Sequence, residues 1–334
     1  MQGQLTEWLS ALAGSDEEFV DRAWRLVVRR DPEADGRALA LSKLRDGSLS
    51  RAGLLRQLVG SEEFDRVAAL DGGLAFAAAE RAKPRDVRGP ARPRDLHAPA
   101  GSDERAIEIP WCLARYDGEP RVLDVGYAFA EPAYLAGLAA LGAPELVGVD
   151  LATTDVPGLR PVVADVRKLP FDEGSFDLAL CISTLEHIGR DNEVYDIDAP
   201  RADNGDEAAL RELQRVLTGD GRLLVSVPTG VLDDQGWQIV RPPEEWIALF
   251  ERAGFIVFED ELYVRADGGW RTASLEEARN APYLERGAGA VLLAELRPGS
   301  FGGKVRLAVR DVRHAGEIRR STSARTTSSA SRRS

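Results

Sequence analysis

The chain has 334 residues, of which 44% are hydrophobic and 29% charged, the composition of an ordinary globular protein long enough for one α/β domain and a smaller module. A formal net charge of −12 argues against nucleic acid or any other polyanionic partner. Cys112 and Cys181, the only cysteines, lie in apolar stretches, which excludes a disulfide framework and fits a reduced, cytoplasmic setting. No window approaches the roughly 18 apolar residues of a membrane span, and the first residues lack a signal-peptide pattern.

Residues 1–80 read as helices. "DEEFVDRAWRLVVRR" puts Phe19, Val20, Trp24, Val27 and Val28 on one face, Asp31-Pro32-Glu33 breaks the pattern, and "LSRAGLLRQLVGSEEF" resumes it. The run Arg30-Asp-Pro-Glu-Ala-Asp-Gly36, followed by Ser61-Glu-Glu-Phe64, resembles a bacterial helical domain of unknown function distantly similar to phycobilisome linkers. That resemblance implies a context of surface-polysaccharide assembly. The residues by themselves are equally those of a packing or self-associating appendage.

Residues 81–105 are rich in Pro, Arg and Asp without apolar periodicity, and are expected to form a linker. Residues 313–334 are basic and rich in Ser and Thr with nothing to build a core, and are expected to be a disordered tail. Between them, residues 106–312 alternate strand and helix patterns. Apolar runs at "RVLDV", "LVGVDL", "PVVADV", "FDLALCI" and "RLLVSVP" are separated by helical or loop segments, the pattern of a parallel α/β sheet. Two further runs, "FIVFEDELYV" and "AGAVLLAEL", are expected to pair at one edge.

In such sheets ligands bind beyond the carboxyl ends of the strands, so the turn after the first strand, "VLDVGYAFAEP", is the candidate cofactor site. Gly126 permits close backbone approach, Pro132 suits a first helical turn, and amides left free in the turn would meet a polar ligand. A dinucleotide turn would read G-x-G-x-x-G, whereas this one has Ala128 and Ala130 and carries Asp124 in the strand. If either alanine needs a left-handed backbone it costs about 1–2 kcal/mol. Asp150 falls 24 residues after Gly126, close to the roughly 20 expected of a ribose-binding acid. Asp165 and Val166 offer an acid and an apolar surface to an adenine's amino edge and face.

Taken in order, "RVLDVGYAFAEP", "LVGVDL", "ADVRKLPFDEGSFDLALCISTLEHIG" and "ELQRVLTGDGRLLVSVP" resemble the blocks of class I S-adenosylmethionine-dependent methyltransferases. The resemblance implies a Rossmann-like seven-stranded sheet in the order 3-2-1-4-5-7-6 with the seventh strand antiparallel. It also implies S-adenosylmethionine as cofactor, held by Asp124, Gly126, Asp150, Asp165 and Val166. Two other classes stay open: a non-catalytic scaffold, favoured by the missing glycines, and a nicotinamide-dependent oxidoreductase, favoured by bare topology.

His187, in "STLEHIG" past the fourth strand, is placed either to act as general base or to shape the acceptor pocket. The acid-rich stretch after it reads as a solvated loop or lid, and no metal is expected. Trp237 and Trp270 follow later strands, where they form either acceptor-pocket walls or core. The expected acceptor is a small molecule or glycan precursor, methylated on oxygen.

Overall fold

A computed structural model describes residues 13–83, 96–197, 199–284 and 287–299. The chain divides into two compact units. One comprises residues 1–115 with 264–272 and 285–288; the other comprises 116–263, 273–284 and 289–334.

In the first unit, α1 (Asp16–Val28), α2 (Ala34–Arg45), α3 (Arg51–Val59) and α4 (Glu62–Ala82) follow the expected breaks. Ser15 and Glu18 form a capping box that satisfies orphan amides at the start of α1. Phe19, Val20, Ala23, Val27 and Val28 bury its apolar stripe against Leu41, Leu54 and Leu58. Each residue of the Ser-x-Glu-Phe signature has local work. The Ser61 hydroxyl accepts the Phe64 amide at 3.2 Å, Glu63 pairs with Arg30 at 3.0 Å, and Phe64 packs on the core. Helix α5 (Arg105–Ala114), expected at the start of the α/β domain, packs along α4. A Cβ on Gly73 would lie 2.9 Å from the Pro110 ring. Trp270 is also spent in this unit: it is buried, its indole donates to the Ser102 carbonyl at 3.0 Å, and its amide donates to Ala98. Residues 84–95 of the expected linker and the whole tail (313–334) lie outside the described residues, and residues 81–82 of that linker belong to α4.

The second unit is built on a sheet. Strands β1 (Arg121–Val125), β2 (Glu145–Asp150), β3 (Leu159–Val163), β4 (Phe176–Ile182) and β5 (Leu217–Thr229) pair in parallel in the order 3-2-1-4-5. The inner strands are near-continuous apolar runs because helices cover both faces. β3, at the edge, is largely exposed and tolerates Pro161, whose missing amide proton an inner strand would need. Two short strands, β6 (Asp233–Asp234) and β7 (Ile239–Val240), form a separate antiparallel hairpin. β10 (Ala290–Pro298) lies antiparallel beside β5, followed by β8 (Phe255–Ala266); the last residues of β8 and the edge strand β9 (Gly269–Thr272) belong to the first unit. With β8 and β10 as sixth and seventh strands, the expected order holds. The expected count of seven does not, because β9 adds a strand. Sequence patterning missed β9 and the hairpin because segments of two to four residues show no periodicity.

Helices α6 (Pro132–Ala139), α7 (Gly205–Val216) and α8 (Pro243–Arg252) flank the sheet. Ala209, Leu210, Leu213 and Val216 of α7 join Trp246, Leu249 and Phe250 of α8 in the core. The Trp246 indole donates to the Pro228 carbonyl at 2.9 Å. Where β5 begins, Arg222 is buried between Glu119, at 2.7 Å from its Nε, and the fully buried Glu295, at 3.4 Å. Removing the cation would take from Glu119 and Glu295 the charge they share in the interior, with Arg297 still on Glu295. Arg222→Met is therefore expected to cost about 3–5 kcal/mol of stability, measurable by denaturant unfolding. Replacing the pair together with apolar residues should cost much less.

Candidate functional site

The site is assembled where β1, β2, β4 and β5 end. Gly126 leaves β1 at φ +88° and its amide donates to Val149 on β2 at 2.9 Å. A Cβ there would sit 2.2 Å from the Thr184 hydroxyl, so the position is closed to any side chain. Thr184 in turn donates to the carbonyls of Val125 (3.2 Å) and Ile182 (3.0 Å). Ala128 and Ala130 are not among the described residues with positive φ, so neither carries the left-handed strain that alanine would have cost.

Two of the turn's amides are engaged within the protein, contrary to expectation. The Ala128 amide donates to Asp150 Oδ2 at 2.9 Å, and the Ala130 amide donates to the Tyr127 carbonyl at 3.1 Å. Asp150 also accepts the Leu151 amide at 2.6 Å. A carboxylate offers about four lone-pair sites, so Asp150 keeps capacity for ribose hydroxyls while being oriented by the turn. Burial raises its pKa, against the pull of these amides.

Asp124 is buried at the end of β1. Its Oδ2 accepts the Tyr134 hydroxyl of α6, while Oδ1 is buried with no hydrogen-bond partner. Burial pushes its pKa up to about 8, opposed by the Tyr134 hydrogen bond and reinforced by Asp150. Protonated, this carboxyl's free oxygen offers a hydrogen-bond donor; ionised, it would accept from a donating cofactor group or pair with a cationic one.

Asp165 lies just past β3 and is engaged by its own neighbour. Arg167 Nε is 2.9 Å from both of its oxygens, and the Arg167 amide donates to it at 2.9 Å. Burial raises its pKa, but the Arg167 bonds outweigh it and hold the acid ionised. Arg167 continues to the Pro200 carbonyl at 2.8 Å. Val166 packs in the core and exposes only 8% of its surface.

His187 closes a short 3₁₀ turn (Leu185–His187) after β4, with Ser183 at φ +46° turning the chain. Its Nδ1 lies 3.1 Å from the Trp237 carbonyl, and its Nε2 lies 3.8 Å from Glu186 Oε1. The Trp237 ring stacks on the imidazole at 5.1 Å, Tyr195 meets it edge-on at 5.8 Å, and Phe129 of the cofactor turn lies 5.2 Å from Tyr195. Four rings thus make one wall running from the turn to the β6–β7 hairpin. Tyr195 and Phe129 were missed in the sequence because they sit in segments without periodicity. Two acids of the acid-rich stretch are engaged by arginines, Asp191 by Arg201 and Asp206 by Arg241 at 2.8 Å. Among the described residues no cluster of three or more metal-ligating side chains occurs.

Residues 123–225 match the family model of the methyltransferase domain. This segment resembles a methyltransferase domain. The orphaned Asp124 oxygen, the turn-oriented Asp150 and the Cβ-free approach at Gly126 fit S-adenosylmethionine, the cofactor that the sequence blocks imply. The domain resembles an uncharacterized protein of Methanocaldococcus jannaschii, 34% identical over 68 residues, which are 20% of this chain and 23% of that protein. The match thus spans less than a quarter of that relative. Among solved structures, a TehB-like S-adenosylmethionine-dependent methyltransferase of Corynebacterium glutamicum is 21% identical. The alignment covers 60% of this chain and 90% of the other, with a TM-score of 0.36. A S-adenosylmethionine-dependent methyltransferase of Methanosarcina mazei is 13% identical, with coverages of 55% and 94% and a TM-score of 0.37.

For the methyltransferase domain, Asp150→Ala is expected to weaken S-adenosylmethionine binding by about 1.5–3 kcal/mol, the loss of hydrogen bonds to a charged acceptor. Calorimetric titration of the folded variant measures this; unchanged affinity would remove Asp150 from the site. Asp124 makes a separate prediction. Its folded pKa lies above the ordinary carboxyl value of 3.8, so the folded state holds a proton the unfolded chain releases. Stability on its account is full below pH 4 and falls as pH rises toward about 8. Asp124→Asn, which has no proton to lose, should gain in melting temperature relative to the wild type between pH 5 and 8, whereas parallel melting curves would contradict the buried-acid reading.

Proposed function

We propose that this chain transfers the methyl group of S-adenosylmethionine to an oxygen of a sugar or another small polar acceptor in the cytoplasm. The observation that carries the reading is the ring wall Phe129–Tyr195–His187–Trp237, which joins the cofactor turn to a histidine beside the buried Glu186. Aromatic faces beside polar groups suit a sugar ring, apolar on its faces and polar at its edges. The arginines around the wall support an acceptor without phosphate or carboxylate, since each is engaged by an acid: Arg167 by Asp165, Arg190 by Asp234, Arg201 by Asp191 and Arg241 by Asp206.

When bound, S-adenosylmethionine supplies a methyl group already activated as a sulfonium. Asp150 would hold the ribose, Val166 would offer its apolar surface to the adenine, and Asp165 would take the amino edge while sharing its charge with Arg167. Asp124 turns its unengaged oxygen to a donating group of the cofactor. The wall orients the acceptor, and His187 receives its proton with Glu186 Oε1 3.8 Å from Nε2 to stabilise the imidazolium that forms. Alignment supplies on the order of 7–11 kcal/mol in favourable cases, and a base a further factor of about 10² to 10⁴. No helix among the described residues is long and apolar enough to cross a membrane. Exposed Leu39, Val59 and Phe76 support a protein-binding or self-associating role for the helical module.

Labelled S-adenosylmethionine and a panel of free sugars, glycosides and nucleotide sugars test the reading; binding of cofactor without transfer to any of them would favour the scaffold. Once an acceptor is found, His187→Ala should lower kcat by about 10² to 10⁴ with cofactor affinity nearly unchanged. The wild-type rate should fall on the acid side as the imidazole is protonated. A change confined to KM, with the pH profile kept, would make His187 a pocket residue only.

A further inference from the structure

We infer that the β6–β7 hairpin is a clamp that fixes the tautomer of His187, with Arg190 and Asp234 as its positioning residues. The inference deepens the proposed function and rests on His187 as the proton acceptor.

A backbone carbonyl only accepts hydrogen bonds. The contact of 3.1 Å between His187 Nδ1 and the Trp237 carbonyl therefore requires the ring proton on Nδ1. In the neutral ring this leaves the lone pair on Nε2, the tautomer that a free imidazole side chain disfavours. The carbonyl imposes this state only if it is held still, and Trp237 sits at the tip of a hairpin with just two residues in each strand. Such a ribbon is marginal by itself.

The hairpin is held by four bonds to and within its tip. Asp234 accepts Arg190 at 2.6 Å and the Gly236 amide at 3.0 Å, and the Gly236 carbonyl accepts the Asp191 amide at 3.0 Å. Gln235 and Gln238 close the tip backbone at 3.0 Å. Arg190 and Asp191 directly follow the turn that carries His187, so the same short segment presents the imidazole and grips the carbonyl that orients it. The stacked Trp237 ring blocks rotation of the imidazole from one face, and Tyr195 blocks it edge-on. Of the charged groups facing the ring, Glu186 stands nearest to Nε2. There it favours the imidazolium formed once Nε2 has taken a proton, and it does not compete for Nδ1.

The test uses the full chain labelled with ¹⁵N-histidine. Long-range ¹⁵N–¹H correlation at pH 8 distinguishes a protonated from a bare ring nitrogen, and His187→Gln assigns the signal among the three histidines. The expected spectrum has Nδ1 protonated and Nε2 bare. Asp234→Ala, at a half-exposed side chain whose loss leaves the core intact, should give a mixed tautomer signal. With an acceptor in hand, it should lower kcat on the order of tenfold with little change in KM, the size typical of losing a group that orients a functional histidine. Asp233→Ala, on the same hairpin but bonded only to Gln235 at its tip, should leave both readouts unchanged. A wild-type ring protonated on Nε2 alone, or an Asp234→Ala variant with unaltered tautomer, would overturn the clamp. Failure to methylate any acceptor would sink the proposed function instead, because the tautomer is read without one.

Discussion

The contact between Gly126 and Thr184 is the constraint from which the site takes its shape. The first turn passes so near the end of β4 that only a hydrogen atom fits on its Cα. Thr184 also bonds the last carbonyl of β1, so the ends of two neighbouring strands are locked at van der Waals distance. Everything with proposed chemistry hangs from that lock. Asp124 lies two residues before it, Asp150 is pulled in by the amide two residues after it, and His187 follows Thr184 by three. A shift of the β4 end by the width of a methyl group would move the histidine relative to the cofactor turn, a displacement of the size that alignment-driven catalysis tolerates poorly.

The two ends of the sheet use charge differently. At the end where β5 begins, Arg222 and its carboxylates are buried together and their role is cohesion, with each group satisfying the other. At the opposite end the arginines pair with acids on loops, and the acids left over face a histidine and a cofactor turn. Buried pairs are costly to form and costlier to break, which suits a base plate. The partly exposed pairs Arg190–Asp234 and Arg201–Asp191 are weak and replaceable by comparison.

Much of this was legible in the residues because the physics was local. The inner strands are apolar on both faces, Pro132 and Pro243 sit in first helical turns, and Ser15, Ser50 and Ser61 cap the helices that follow them. The strand order followed from a resemblance spread over four blocks. What was not legible depends on through-space pairing. Arg167 beside Asp165 looks like a turn residue until its guanidinium folds back on the acid. Trp270 reads as either pocket wall or core until its buried indole is seen to bond Ser102. Tyr195 carries no periodic signal, and only the fold brings it to His187 and Phe129. The turn amides read as free because a sequence does not show that Asp150 and Tyr127 accept them first.

A buried acid poised near neutrality has a thermodynamic consequence for the cofactor. If Asp124 ionises when it meets a cationic group, occupancy of the site and loss of a proton to solvent become a single event. Affinity would then climb with pH across the range where the free protein still holds that proton. The heat of binding would contain the protonation heat of whichever buffer accepts it, so titrations in phosphate and in an amine buffer would give different enthalpies for one and the same complex. The protein would act as a coupled proton–ligand exchanger, its apparent preference for S-adenosylmethionine set in part by the acidity of its surroundings.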